Sequence, residues 1–307
     1  MSDLSLTPDP RPLGKSGITV SPIAWGMWRF GNSTVEEGRR LIEAAFAAGV
    51  TLFDTADIYG FDGSPDKDGG GFGDAETLLG RVFADAPGMR ERMVLATKGG
   101  ITPPVPYDSS RDYLTEALDR SLRRMGVANV DLYQVHRPDI LAHPQEVART
   151  LEDMVTSGKV RAVGVSNYSR HQTTALASFL SVPLASIQPE LSPLAIDVIE
   201  GGLADLAMER DHAVLAWSPL GGGRIGTPTT ARERAVAAAL DLVASRYGVG
   251  RAAAAYSWIM AHPMRAIPIV GTQNPARIAE LADAFRIEWT RRDWYDVLVA
   301  ARGEKLP

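Results

Sequence analysis

VDLYQVH (residues 130–136), QEVARTLEDMVTS (145–157) and VRAVGVS (160–166) read in order as strand, helix and strand. The outer runs are short and nearly continuously apolar, as expected for parallel strands buried on both faces. The middle run is longer and amphipathic. The same unit repeats outward in both directions. Before it stand the strand candidates Ile23–Trp28, Thr51–Asp54 and Met93–Lys98, and after it Ala185–Gln188, Ala213–Ser218 and Ala266–Gly271. The intervening helical blocks are Val35–Ala48, Asp74–Ala84, Arg111–Met125, Ser169–Leu180, Val198–Arg210, Thr230–Tyr247 and Pro275–Phe285. Ala252–Ala261 reads as a further helix, and Arg291–Arg302 as one that closes or caps the fold.

Local signals agree with this division. Ser33-Thr34 offers an N-cap to Val35–Ala48, and Glu36 and Glu37 fall in its first turn, where the helix dipole favours them. Leu41, Ala44, Ala45 and Ala48 recur at helical spacing, and Gly49 supplies the stop. Eight strand–helix units without an extra run of strands predict an α/β fold, the (β/α)8 TIM barrel. An open doubly wound sheet is the rival, but its Gly-x-Gly-x-x-Gly turn after the first strand is missing. No proline- or serine-rich linker divides the chain, so residues 1–307 are expected to form one domain.

Composition narrows the function. The 307 residues are 45% hydrophobic and 22% charged, with a formal net charge of −5. That balance gives no broad electrostatic footprint for nucleic acid. The absence of cysteine excludes disulfides, thiolate metal sites and cysteine nucleophiles. The five histidines are too scattered for a metal site, and none is expected. The polar amino terminus lacks a secretory pattern and no run is long enough to span a membrane, so a cytoplasmic location without membrane contact is expected. Arg90-Glu91-Arg92 and Arg123-Arg124 read as solvated faces.

Two segments fall outside the repeat. GFDGSPDKDGGGFG (60–73) is a surface loop on any periodicity test, placed after the second strand where a lid over a barrel site would lie. PLGGGRIGTPTT (219–230) follows the seventh strand, where barrels commonly hold phosphate.

FDTADIYG (53–60) puts Asp54 at the end of the second strand and Tyr59 in the loop after it. ATKGG (96–100) puts Lys98 at the end of the third strand, and LYQVHRPD (132–139) puts His136 at the end of the fourth. Each has an ordinary structural explanation: a turn cap, a rim aromatic, a solvated chain end, a hydrogen-bonded core histidine. On consecutive strand ends of one barrel they make a constellation.

With these residues in view, the chain resembles the aldo-keto reductase family over nearly its whole length. The resemblance runs through RPLGKSGITVSPIAWG (11–26), similar to the family's N-terminal entry hairpin and first strand, then FDTADIYG, GDAETLLG (73–80), ATKGG, the histidine segment, VGVSNYS (163–169), IQPELSP (187–193), WSPLGGG (217–223) and IPIVGTQNPARI (267–278). It implies a catalytic tetrad of Asp54, Tyr59, Lys98 and His136 that reduces a carbonyl. The chemistry is coherent. A general acid must protonate the developing alkoxide, and a tyrosine near its reference pKa of about 10 needs a neighbouring ammonium to favour its phenolate. Asp54 would fix Lys98, and His136 would orient the carbonyl oxygen.

The resemblance further implies NADPH as cofactor. Ser166, Asn167 and Gln188 match residues that bind the nicotinamide carboxamide, and Trp217 stands where an aromatic stacks on the nicotinamide ring. Ser218, Leu220 and Gly222 belong to the pyrophosphate loop, and Gly271, Thr272, Gln273 and Arg277 to the 2′-phosphate site. Ile269-Val270 replaces a lysine that many relatives carry, so Arg277 is the main cation there and use of NADH stays open. Trp28, Tyr59 and His136, with the 60–73 loop and the carboxy-terminal tail, would line the pocket for a small carbonyl substrate. Two rival functions are a lyase using Lys98 as a Schiff base, which leaves the nicotinamide set without purpose, and an NADPH-binding sensor subunit with weak turnover. Monomer and homo-oligomer are both open.

Overall fold

The structure, a computed structural model, describes residue 4, residues 6–64 and residues 68–306. A short antiparallel hairpin, β1 (Arg11–Pro12) and β2 (Thr19–Val20), precedes the first barrel strand β3 (Ala24–Gly26). There follow α1 (Val35–Ala47), β4 (Leu52–Asp54), α2 (Asp74–Asp85), β5 (Val94–Gly99), a second hairpin of β6 (Ile101–Thr102) and β7 (Val105–Tyr107), and α3 (Arg111–Met125). The chain continues through β8 (Val130–Val135), α4 (Pro144–Thr156), β9 (Val160–Ser166), α5 (Arg170–Ala177), β10 (Leu184–Gln188), α6 (Asp197–Glu200), α7 (Leu203–Arg210) and β11 (Ala213–Ala216). It ends with α8 (Ala231–Tyr247), α9 (Arg251–Ala261), β12 (Ile267–Val270), α10 (Pro275–Ala279) and α11 (Arg291–Arg302).

Strands β3, β4, β5, β8, β9, β10, β11 and β12 close in that order into a parallel barrel, with β12 pairing back onto β3. Its interior is filled rather than open. Ala24, Leu52, Ala96, Leu132, Ala162, Ala185, Leu215 and Ile267 give one buried apolar side chain from each strand. The hairpin residues Leu13, Ile18 and Val20 join this cluster. Gly14, with φ +54, lies so close to β10 that a Cβ would stand 2.3 Å from the Ala185 carbonyl oxygen. Only glycine permits that approach. The larger cluster packs the helices around the outside, with Trp258 of α9 stacked on Trp294 of α11 at 4.8 Å.

The helix starts obey their sequence signals. Thr34 and Glu37 form a reciprocal capping box on α1, and Ser169 and Gln172 form another on α5. Several boundaries differ from expectation. The block at 198–210 is two helices, because Gly202 adopts φ +75 and breaks the run. The block at 275–285 is α10 followed by a 3-10 stretch, Glu280–Arg286. The β6–β7 hairpin is an addition to the plain strand–helix alternation; its residues are partly or fully exposed around Pro103-Pro104 and carry no apolar periodicity. The first strand stops at Gly26, so Trp28 lies beyond it in the following turn.

Residues 65–67 of the 60–73 loop lie outside the described residues. On either side of them the loop is pinned, with Asp62 and Gly63 N–H groups donating to the Gly70 carbonyl at 3.1 and 3.3 Å.

Candidate active site

Four side chains meet where β4, β5 and β8 end. Asp54 is the last residue of β4 and is registered opposite Ala96 of β5. The chain then turns sharply. Thr55 N–H donates to the Ala96 carbonyl at 2.9 Å and Asp57 N–H to the Lys98 carbonyl at 3.0 Å, which keeps the turn on β5 and returns Tyr59 over Lys98. Gly60 leaves the site at φ +108 beside Asp74, where a Cβ would come within 2.6 Å of the Asp74 Cβ.

Lys98 is fully buried, and its Nζ donates to three oxygens: Asp54 Oδ2 at 2.7 Å, the Thr55 carbonyl at 2.7 Å and Tyr59 Oη at 3.0 Å. An ammonium has three protons, so this geometry uses all of them. The other carboxylate oxygen, Asp54 Oδ1, accepts from Gln188 Nε2 at 2.9 Å. Burial pulls the Lys98 ammonium down, but the attraction and hydrogen bonds of Asp54 and Tyr59 outweigh it and leave its pKa raised. Lys98 therefore stays charged.

Tyr59 departs from the expectation of a phenol made more acidic. Burial is the largest influence and pushes it up, Lys98 pulls it down, and Asp54 pushes it up again, leaving it above its ordinary value. His136 follows β8 directly, its N–H bound to the Gly99 carbonyl at 2.8 Å, with its ring 5.9 Å from that of Tyr59. Burial, then Lys98 and Arg137, hold its pKa well below the usual histidine range, so the imidazole is neutral at neutral pH.

The residues matched to a nicotinamide join this cluster by hydrogen bonds. Ser166 Oγ donates to the Gln188 carbonyl at 2.9 Å, and Asn167 Nδ2 donates to Ser166 Oγ at 2.8 Å and to the His136 carbonyl at 3.1 Å. Trp217 Nε1 donates to Asn167 Oδ1 at 2.9 Å, which fixes the plane of the indole. Asn167 holds φ +61, a left-handed conformation that asparagine tolerates better than most residues. One N–H of the Gln188 amide is used by Asp54, which ties this residue to the Lys98 pair as well.

Ser218 (φ +51), Leu220 and Gly222 (φ +68) form the turn beyond β11, with Gly221 N–H donating to the Ser218 carbonyl at 2.7 Å. Gly271, Thr272 and Gln273 follow β12, and the Thr272 carbonyl accepts from Trp25 Nε1 at 2.9 Å. Arg277 is exposed on α10 and makes no ion pair with a described carboxylate. These segments stand at the same end of the barrel as the tetrad, since every barrel strand is parallel.

Beside His136 opens a cleft of about 400 Å³, lined among others by Trp28, Ile58, Phe61, His136 and Arg137. Trp28 is 65% exposed and meets the Tyr59 ring edge-on at 5.3 Å. A protonated phenol beside a buried ammonium and a neutral imidazole can pass a proton to an oxygen held in this cleft.

Some residues here escape a reading of motifs alone. Arg124 is no solvated face: it turns inward to pair with the buried Glu76 at 2.7 Å, while Thr97 Oγ1 donates to the same carboxylate at 2.6 Å. At the opposite end of the barrel, where β5 and β8 begin, Arg90 likewise pairs with the buried Asp131 at 2.9 Å. Burial, then Glu76, holds Asp57 well above the usual carboxylate range beneath the Tyr59 turn. Among the described residues no helix is long and apolar enough to cross a membrane, and no three acidic or histidine side chains are placed to hold a metal.

Residues 22–297 match the model of the aldo/keto reductase family. The chain is 60% identical over 309 residues to the 6-dehydroglucose reductase of Novosphingobium aromaticivorans, covering 100% of both chains. It is 35% identical to the 6-dehydroglucose reductase of Agrobacterium fabrum, over 94% of this chain and 97% of that one. The fold is similar to that of the glycerol dehydrogenase of Gluconobacter oxydans, with a TM-score of 0.82, 26% identity and 98% of each chain covered. The chain thus belongs to the aldo-keto reductase family, whose general activity is the reduction of carbonyl substrates with a nicotinamide cofactor.

Proposed function

We propose that this chain catalyses the NADPH-dependent reduction of a sugar aldehyde of the 6-dehydroglucose type to the primary alcohol. The observation that carries the chemistry is the Lys98 ammonium held between Asp54 and the Tyr59 hydroxyl, next to the cleft that His136 lines. Identity of 60% across the full length of a 6-dehydroglucose reductase supports the substrate class.

A bound NADPH supplies the hydride that adds to the carbonyl carbon. The rest falls to the chain. His136, a neutral imidazole, can donate a hydrogen bond to the carbonyl oxygen and hold it beside Tyr59. Tyr59 Oη gives its proton to that oxygen as negative charge develops, the C–O double bond becoming a single bond to a hydroxyl. Lys98 stabilises the resulting phenolate, and Asp54 keeps Lys98 in place. The raised Tyr59 pKa suits this direction, because the phenol stays protonated at neutral pH. Oxidation of the alcohol needs phenolate and is therefore favoured at alkaline pH.

The residues present suit a nicotinamide dinucleotide. Trp217 is half-buried and its plane is fixed by Asn167, which gives the nicotinamide a stacking surface. Gly222, Gly223 and Gly271 leave open space where a Cβ would stand, so a phosphate can approach their backbone. Arg277, without an ion-pair partner among the described residues, is the cation for a 2′-phosphate.

The test is loss of NADPH absorbance with 6-dehydroglucose, with hexanal and with glyceraldehyde, NADH being run in parallel. The proposal expects kcat/KM for 6-dehydroglucose to exceed that for hexanal by about tenfold or more, the scale set by sugar-specific hydrogen bonds. Equal values, or no reduction of 6-dehydroglucose, would refute it.

A further inference from the structure

Arg137 stands next to His136 on the rim of the cleft and has no role in the tetrad or the nicotinamide set. Its guanidinium carbon lies 5.7 Å from the centroid of the Trp217 ring. It is half-buried and makes no ion pair with any described carboxylate. That is unlike Arg124, which turns inward near the tetrad and is paired with Glu76. A guanidinium carries five N–H donors in a rigid plane, and at a half-buried position on a cleft these are open to an acceptor that enters it.

Trp28 stands on the same cleft, its indole 65% exposed although its edge touches Tyr59. The cleft therefore combines a flat apolar ring with a planar fork of donors, the ring in contact with Tyr59 and the fork next in sequence to His136. That combination fits a polyhydroxylated ring. Its C–H groups can lie on an indole, and adjacent hydroxyl oxygens accept two parallel N–H bonds. When the aldehyde oxygen of a hexose meets Tyr59 and His136, the remaining hydroxyls extend outward into this part of the cleft.

We infer that Arg137 is a specificity-determining residue that donates its guanidinium fork to sugar hydroxyls remote from the aldehyde, with Trp28 as the apolar platform. The inference rests on the sugar-aldehyde reading of the site. Arg137 also places positive charge near Tyr59 and His136, so a test must separate hydrogen bonding from charge. Arg137→Lys does so, because it keeps the cation and loses the planar fork.

The experiment measures kcat and KM of the full chain with NADPH for 6-dehydroglucose, hexanal and glyceraldehyde 3-phosphate, in wild type and in Arg137→Lys. The expected result is a fall of roughly 10–100-fold in the ratio of kcat/KM for 6-dehydroglucose over hexanal, carried mainly by KM, the loss typical of hydrogen bonds to a charged group. The pH profile of kcat with hexanal should keep its shape. An unchanged ratio would overturn the inference, as would an equal loss on both aldehydes. A selective loss on glyceraldehyde 3-phosphate alone would overturn it in favour of an anion site. If the wild type shows no preference for 6-dehydroglucose over hexanal, the sugar-aldehyde reading fails and this inference with it. A wild-type preference that survives in Arg137→Lys removes only the inference.

Discussion

Replacing Lys98 by methionine removes the charge at the centre of the site and nearly keeps the length of the side chain. The ammonium is fully buried and donates to Asp54, the Thr55 carbonyl and Tyr59. Without it, the Asp54 carboxylate, itself only 1% exposed, keeps one contact, the Gln188 amide at 2.9 Å. A buried pair broken on one side typically costs about 3–5 kcal/mol, because the remaining charge stays buried without compensation. Asp54→Asn breaks the pair from the other side and should cost a similar amount. The double variant carries no charge at either position. Its loss should therefore be at least about 2 kcal/mol smaller than the sum of the singles, the non-additivity expected of contacting residues. Urea unfolding of the four proteins at neutral pH without cofactor, extrapolated linearly to water, measures this cycle. Additivity within about 0.5 kcal/mol would refute the claim that Lys98 and Asp54 form one buried electrostatic unit. All three variants should be inactive, so recovered stability without recovered turnover would separate the fold from the chemistry.

Other outcomes follow from single contacts. Arg277→Ala should weaken NADPH binding by roughly 1.5–3 kcal/mol and barely change NADH binding, and an equal loss for both by fluorescence titration would show that Arg277 does not read a 2′-phosphate. His136 has a depressed pKa in the folded chain, so below about pH 6.5 the unfolded chain binds a proton that the folded one refuses, and stability falls as pH falls. His136→Gln should therefore lose less stability than wild type on acidification through that window; parallel curves would contradict the neutral buried imidazole. A Cβ on Gly99 would stand 2.3 Å from Tyr133 Oη, so Gly99→Ala should destabilise by about 1–3 kcal/mol and Tyr133→Phe should relieve part of it. No relief in the thermal midpoint of the double variant would place the clash elsewhere.

The barrel is legible in the sequence because its strands are buried on both faces and therefore short and apolar, while Gly49, Gly126 and Gly158 close the helices between them. The ends of those strands carry Asp54, Lys98 and Ser166, and register alone brings them to one rim. Local exceptions are harder to read. Ile101–Tyr107 forms a hairpin from exposed residues without a buried face, so no periodicity marks it. Trp28 lies past the end of its strand because pairing stops at Gly26, a limit set by the neighbouring strands rather than by the local sequence. The direction of the Tyr59 pKa depends on a balance between burial and Lys98, and burial is a property of the packed site. The inward turn of Arg124, and the lack of a carboxylate partner for Arg137 among the described residues, are likewise set by which carboxylates the fold brings near. The break at Gly201-Gly202, by contrast, carries a visible signal, two adjacent glycines inside a helical pattern.

The most direct test of the account is the single-turnover rate of aldehyde reduction in Tyr59→Phe, with NADPH affinity measured on the same sample. The ring and its contact with Trp28 remain and only the hydroxyl on Lys98 is lost. The account predicts a rate lower by roughly 10²–10⁴-fold, the usual contribution of a positioned general acid, with NADPH affinity changed by no more than about twofold. A rate close to that of the wild type would contradict the assignment of Tyr59 as the proton donor.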